Sequence, residues 1–239
     1  MKNLIIIPTY NEKENIGKII PQLFKIVSSL AVFVVDDGSP DKTAEEVRKL
    51  VKEYPNLILI ERKGKGGRGS AVLEGFRIAL KDKKYTHFVE MDADFSHDPK
   101  ELPLLLAEAK DNLMVVGSRY VTGSAIVDWP LFRRIFSKSA NFYARIILGV
   151  SLHDCTNGLR VYTRRTLESI DFSSLSETGY ALLLEMAYLF KLKGYGFTEI
   201  PSTFVNRKRG KSNTSLKEII DACTAVWRIW KRHKRSYNW

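Results

Sequence analysis

The chain has 239 residues, 44% hydrophobic and 27% charged, the size and balance of one globular domain with a full core. It contains no apolar run of 18 residues, which excludes a complete transmembrane helix, and its two cysteines make neither a disulfide framework nor a zinc cluster. The net charge of +11 is concentrated near the end, where residues 207–235 hold ten Lys and Arg against Glu218 and Asp221; such asymmetry points to an anionic partner, whether nucleic acid, acidic membrane surface or phosphorylated substrate.

The N-terminus enters a strand-like run almost at once and lacks a signal peptide's apolar stretch, so the expected compartment is the cytosol. Strand patterns over 4–8, 32–36, 57–61, 87–92 and 113–117 alternate with helical patterns over 13–28, 41–53, 69–81 and 99–110. This rhythm predicts an α/β fold with a mostly parallel sheet flanked by helices. The second half is more helical, with helices predicted over 131–148, 164–170, 179–193 and 215–233 and a strand over 197–205. Ligands of such sheets bind outside the carboxyl ends of the strands. Those ends are followed here by Tyr10 and Glu12, Asp36-Asp37, a Gly/Lys loop, Asp92 and Asp94, and Arg119.

Asp92 and Asp94 are expected at the end of a strand on one face, able to reach one point. Magnesium takes one or two carboxylates plus substrate phosphates, and a metal so held neutralises a leaving diphosphate. The plain alternative is two acids in a solvated turn. Asp36-Asp37-Gly38-Ser39-Pro40-Asp41 reads as a turn with Asp41 near a helix start, and one of its paired acids is available to a base or ribose. Gly64-Lys65-Gly66-Gly67-Arg68-Gly69 matches the dinucleotide fingerprint literally. Its interleaved cations, with Arg62 and Lys63, instead suggest a mobile cationic loop, which reads equally as a plain surface loop or as a contact for phosphate or nucleotide. Arg119, Arg133, Arg134, Arg207 and Arg209 together suit a phosphate site. His97, in a loop before a helix, is read as structural. The terminal helix places Ile219, Ile220, Cys223, Val226, Trp227 and Trp230 mostly on one face, with Arg228, Lys231, Arg232, Lys234 and Arg235 at its end. It reads equally as a core-packing helix or as an interfacial helix on anionic lipid.

Four segments stand in order: Pro8-Thr9-Tyr10-Asn11-Glu12, Val34-Val35-Asp36-Asp37-Gly38-Ser39-Pro40-Asp41, Met91-Asp92-Ala93-Asp94-Phe95-Ser96-His97 and Val116-Gly117-Ser118-Arg119-Tyr120. After them come Asp128-Trp129-Pro130, Arg133, Asp154-Cys155-Thr156-Asn157-Gly158-Leu159-Arg160, Gly179-Tyr180, Glu185-Met186 and the segment 204–212. Together they resemble the inverting family-2 glycosyltransferases of the GT-A fold, in particular the dolichol-phosphate or polyprenol-phosphate mannosyltransferases. The likeness covers about residues 1–213, leaving 214–239 as a basic amphipathic C-terminal helix open to membrane association.

The resemblance implies roles. Pro8, Tyr10, Glu12, Val35 and Asp37 would hold the nucleoside of the donor, GDP-mannose, with Asp92, Ala93, Asp94 and Arg207 at its diphosphate. Asp92, Asp94 and Ser96 would surround Mg or Mn, and Arg119, Arg133 and Ser137 would receive the lipid phosphate. Asp92, Asp94 and Arg119 would carry the catalysis. Relatives with Gln at Ser96, Lys at Ala181 or Lys at Asn213 mark where this chain departs from the pattern. The family also implies work at the cytoplasmic face of a membrane, through C-terminal transmembrane helices in some members and an anchoring partner subunit in others.

A phosphate monoester, with a second pKa near 6, is already a nucleophilic dianion at pH 7. A sugar hydroxyl needs a base. No Glu-Asp pair stands around residues 176–185, although Glu177 or Glu185 is available for that role, so a polyprenyl phosphate acceptor is favoured. The alternatives are a family-2 enzyme acting on a sugar hydroxyl, an NAD(P)-binding dehydrogenase using the Gly64 loop, and a basic nucleic-acid-binding module. The last leaves the strand-end acids unexplained, since carboxylates repel a phosphate backbone, and no nucleic-acid partner is expected.

Overall fold

The computed structural model describes residues 2–27, 29–110, 113–206 and 216–236, and within the last segment the side chains of 224–234. Strands β1 (Lys2–Thr9), β2 (Leu30–Asp36), β3 (Leu57–Glu61), β4 (Tyr85–Glu90), β5 (Leu113–Ser118), β7 (Arg160–Thr163) and β8 (Gly196–Pro201) form one sheet in the order β3-β2-β1-β4-β7-β5-β8. All neighbours run parallel except β7, which is antiparallel to both β4 and β5. β6 (Ala125–Val127) and β9 (Thr203–Val205) make a separate parallel pair. The mostly parallel expectation is met. The strand expected over 197–205 is instead two, broken at Pro201-Ser202, where the chain leaves one sheet for the other.

Helices α1 (Lys13–Ile26), α2 (Thr43–Val51) and α4 (Leu102–Glu108, after a 3₁₀ turn at Pro99–Glu101) cover one face. α3 (Arg68–Leu80), α5 (Leu131–Leu148), α6 (Arg164–Glu168), α7 (Ala181–Leu192) and α8 (Leu216–Ser236) lie on the other. Side chains alternate across a strand, so each strand feeds both layers. Leu4, Ile6, Phe33 and Val35 pack in the α3–α7 core, while Ile5, Ile7, Val32 and Val34 pack beneath α1 and α2. Being buried on both faces is why β2 reads as an unbroken apolar run.

The sheet order reverses at β1, whose neighbours are β2 and β4. The crevice opened by such a switch is where open α/β sheets take ligands. The loops after β1, β2 and β4 all reach it.

The terminal helix does not project from the domain. Ala225, Val226 and Ile229 join the core, with Trp230 packed against it, so the described part of its apolar stripe turns inward apart from Trp227. Arg228 clasps Glu177 through Nε and Nη2 (3.1 and 2.8 Å), and Arg232 and His233 reach Glu185 (3.3 and 2.9 Å). Among the described residues the broadest exposed apolar face belongs to α5. Leu131, Phe132, Ile135, Phe142 and Ile146 are each 58–79% exposed at helical spacing. Among the described residues no helix is long and apolar enough to cross a membrane.

Candidate active site

The loop after β1 is shaped by Asn11, whose positive φ of 63° turns the chain into α1. That turn leaves Tyr10 exposed at the crevice, and Glu12 accepts from Asn15 Nδ2 at 2.7 Å. The two acids after β2 divide their work. Asp36 is buried and structural, taking the Thr9 hydroxyl (2.8 Å) and the amide and hydroxyl of Ser39 (2.9 and 2.6 Å). Asp37 faces the Gly64 loop, accepting from Arg62 Nη1 (2.5 Å) and from the Gly67 amide (2.7 Å). Gly67 has φ 87°, which places its N–H toward that carboxylate at the start of α3. Lys65 completes the closure, its Nζ 4.1 Å from the centre of the Tyr10 ring. The glycine loop thus follows β3, the edge strand, and its cations engage the crevice acids. A dinucleotide fingerprint would instead be a bare backbone turn.

β4 ends at Glu90, so Asp92 and Asp94 lie in the turn beyond the strand rather than at its last residues. Phe95 adopts φ 59°, unusual for a bulky side chain, and this kink lets the Ser96 amide cap Asp94 Oδ1 at 3.0 Å. Arg68 Nε donates to Asp92 Oδ1 (2.7 Å) and Nη1 to Glu90 Oε1 (2.5 Å). Burial alone would lower the Arg68 pKa, but Asp92 and Glu90 outweigh it and hold the guanidinium firmly charged. Ser96 Oγ is buried with no hydrogen-bond partner. A hydroxyl in that state, on the turn that carries Asp92 and Asp94, fits the donor set of a hard divalent cation completed by substrate phosphate oxygens. Among the described residues no three acidic, His or Cys side chains form a protein-only cage. Val35 and Ala93 are core residues whose side chains are buried, leaving only their backbone to a ligand; Pro8 is part-buried.

Arg119 stands just past β5. Its amide and Nε donate to Asp154 Oδ2 (3.0 and 2.7 Å), and Nη2 donates to Asp154 Oδ1 and Thr156 Oγ1 (2.7 Å each). The rings of Tyr120, Trp129 and Phe204 surround it at 5.3–5.4 Å. Arg119 is thus a buried, oriented guanidinium, where a solvated one was the plain reading. Arg133 stacks 4.0 Å over Trp129 and donates to Asn206 Oδ1 at 3.2 Å. Ser137 lies beside the Tyr120 hydroxyl, which is buried without a well-formed hydrogen bond. Arg119, Arg133 and Ser137 therefore meet around Tyr120 and Trp129. Arg134 turns back to the Trp129 carbonyl (3.1 Å), while Arg207 and Arg209 lie outside the described residues.

His97 is buried, with Nε2 against Asn157 Oδ1 at 2.8 Å, in agreement with a structural role. Asn157 also donates to the Gly117 carbonyl. The segment 154–160 is thereby a brace whose buried Arg160 binds the carbonyls of Asn157, Leu183 and Cys155. Glu185 receives the amides of Ser176 and Glu177 (3.0 and 2.9 Å) as well as His233. Burial would raise its pKa, but the His233 hydrogen bond and the two amides outweigh that and hold the carboxyl below its ordinary range. Glu177 and Glu185 are thus both held by α8.

Sequence reasoning missed Glu90, and it read Arg62 and Arg68 only as loop cations, not as partners of Asp37, Asp92 and Glu90. Glu90, an acid inside an apolar strand, is the signal that would have found the first and, through it, Arg68.

Residues 4–171 match the family described as Glycosyl transferase family 2. The chain is 39% identical to the polyprenol monophosphomannose synthase of Mycolicibacterium smegmatis, over 98% of this chain and 90% of that protein. It is 40% identical to the undecaprenyl-phosphate mannosyltransferase of Micrococcus luteus (95% and 93%). It is 35% identical to the dolichol-phosphate mannosyltransferase of Pyrococcus furiosus, over 97% of this chain and 64% of that one. Among solved structures, glucosyl-3-phosphoglycerate synthase from Mycobacterium tuberculosis, in complex with Mn2+, UDP-glucose and glycerol 3-phosphate, superposes with a TM-score of 0.65 at 17% identity. That match covers 97% of this chain and 79% of that one, a likeness of fold. The crevice acids at the sheet's switch point, the GT-A-like architecture and these similarities converge: the chain belongs to glycosyltransferase family 2.

Proposed function

We propose that the enzyme transfers mannose from GDP-mannose to a polyprenyl phosphate at the cytoplasmic face of a membrane, inverting the anomeric carbon. The observation that carries this reading is the acceptor side. It gathers Arg119, Arg133 and Ser137, while Glu177 and Glu185, the two acids available as a base in the segment 176–185, are engaged by α8. A site rich in guanidinium, with Glu177 and Glu185 both held by α8, suits an acceptor that arrives already deprotonated.

In the reaction an oxygen of the phosphate dianion attacks the anomeric carbon from the face opposite the nucleoside diphosphate. The C–O bond to phosphate forms as the C–O bond to the diphosphate breaks, and no proton changes hands. Arg133, fixed over Trp129, and Arg119, fixed on Asp154, orient the acceptor phosphate and offset its charge near the departing diphosphate. Tyr10 and Glu12 line the nucleoside side of the crevice. Asp92, Asp94 and Ser96 would hold Mg or Mn, which when bound stabilises the leaving diphosphate. The names of the mannosyltransferase relatives and the Mn2+ complex of the structural neighbour support these assignments.

The exposed face of α5 provides the membrane contact, with Lys138 and Arg145 on the same helix available to anionic headgroups. The test is an assay of labelled GDP-mannose with polyprenyl phosphate and, separately, with sugar acceptors. Label is expected in the lipid phase. Label found only on the sugars overturns the reading.

A further inference from the structure

We infer that Arg68 is a positioning residue that makes divalent-metal binding conditional on the donor's diphosphate. The inference rests on the metal-assisted reading above. Arg68 Nε occupies Asp92 Oδ1 at 2.7 Å, so one oxygen of the first proposed metal ligand is already taken by a cation. The guanidinium is not free to leave. Nη1 neutralises Glu90, which is 1% exposed and whose other oxygen takes the Tyr162 hydroxyl at 3.1 Å. Abandoning Glu90 would leave a buried, unmatched charge.

The space is shaped for this arrangement. A Cβ at Gly158 would stand 2.1 Å from Arg68 Nη2, and Gly158 has no positive φ to demand glycine on its own account. Arg68 Nη2 is itself buried with no hydrogen-bond partner. An orphaned N–H donor beside a diphosphate site is satisfied when a phosphate oxygen arrives. Arg68 therefore weakens the pull of Asp92 on a lone cation and strengthens the site for a cation that comes with its diphosphate. The two ligands are coupled, and the coupling is reciprocal.

The test is Mn2+ binding followed by the loss of the free-ion electron paramagnetic resonance signal, with and without GDP, in the whole protein. In the wild type GDP is expected to tighten Mn2+ binding at least tenfold. Arg68→Gln with Glu90→Gln removes the fully buried carboxylate together with the cation, and leaves the part-exposed Asp92 relieved of Arg68. It is expected to bind Mn2+ without nucleotide at least tenfold more tightly than wild type and to lose most of the coupling to GDP. Gly158→Ala, which keeps every charge and pushes the guanidinium aside, is expected to shift Mn2+ binding in the same direction. A merely structural role for Arg68 would weaken Mn2+ binding or leave it unchanged. Either result in both variants, once each is shown to be folded by a cooperative melt, overturns the inference. Wild type that binds no Mn2+ even with GDP overturns the metal-assisted reading itself.

Discussion

Replacing Asp154 with Asn isolates one charge beneath Arg119. Asp154 is fully buried and takes three donors from Arg119, at 3.0, 2.7 and 2.7 Å, as well as the amides of Thr156 and Asn157 (3.3 and 3.1 Å). Burial alone would lift its carboxyl, but the Arg119 guanidinium outweighs burial and holds it below the usual range. Asn keeps the shape and strands a buried cation, at a cost of about 3–5 kcal/mol. At about 2–4 °C per kcal/mol for a chain of this length, Tm should fall by roughly 6–20 °C. Adding Arg119→Met removes the stranded charge and should recover at least half of that loss in a double-mutant cycle. The folded carboxyl titrates below its unfolded reference of about 3.9. Its contribution is therefore complete above that pH and is lost as pH falls through the folded value. The gap between wild type and Asp154→Asn should close on acidification below about pH 4. A single variant melting within about 2 °C of wild type, or a double variant no more stable than the single, would refute the reasoning.

Other expectations follow from the same geometry. Arg133→Ala should raise KM for polyprenyl phosphate about 10- to 100-fold, the worth of one charge-assisted contact, with the GDP-mannose KM little changed; steady-state kinetics in both substrates separates the two. Phe132→Glu with Ile135→Glu should cut sedimentation with anionic vesicles at least tenfold, since each apolar side chain contributes about 1.5–3 kcal/mol when buried. Tm should not move, because both residues face solvent in the free protein. In a Cys223→Ser background, Cys155 should resist thiol reagents at pH 8 and react on unfolding. It is buried, and burial pushes its thiol up to about 12.

The donor half was largely legible because local patterns and the ligand edge coincide there. Apolar runs name β1 to β5, and acids that follow a strand in an alternating chain can only lie at the crevice. β6 and β7 were not legible. They have three and four residues, and their pairing is set by distant strands rather than by their own periodicity. The terminal helix illustrates a deeper limit. An amphipathic stripe fits a core or a membrane equally, and what decides is Glu177 and Glu185, some fifty residues away, receiving Arg228 and His233. The apolar stripe on α5 drew no reading from the sequence; only the fold shows that these side chains stay exposed among the described residues. Asp36 and Asp37 are adjacent and alike in sequence; their opposite duties follow from which face of the turn Thr9 and Ser39 occupy.

The single antiparallel strand has a metric consequence. β7 is hydrogen-bonded to β4 on one side and β5 on the other, so β4 and β5 run in the same direction two ladder spacings apart. At about 4.8 Å per spacing, the chain ends that launch Asp92 and Arg119 are roughly 10 Å from each other. That gap is wide enough for one pyranose ring with a phosphorus on either side. The inserted strand thus acts as a gauge block: in the proposed reaction its width would set the distance across which one sugar is handed over.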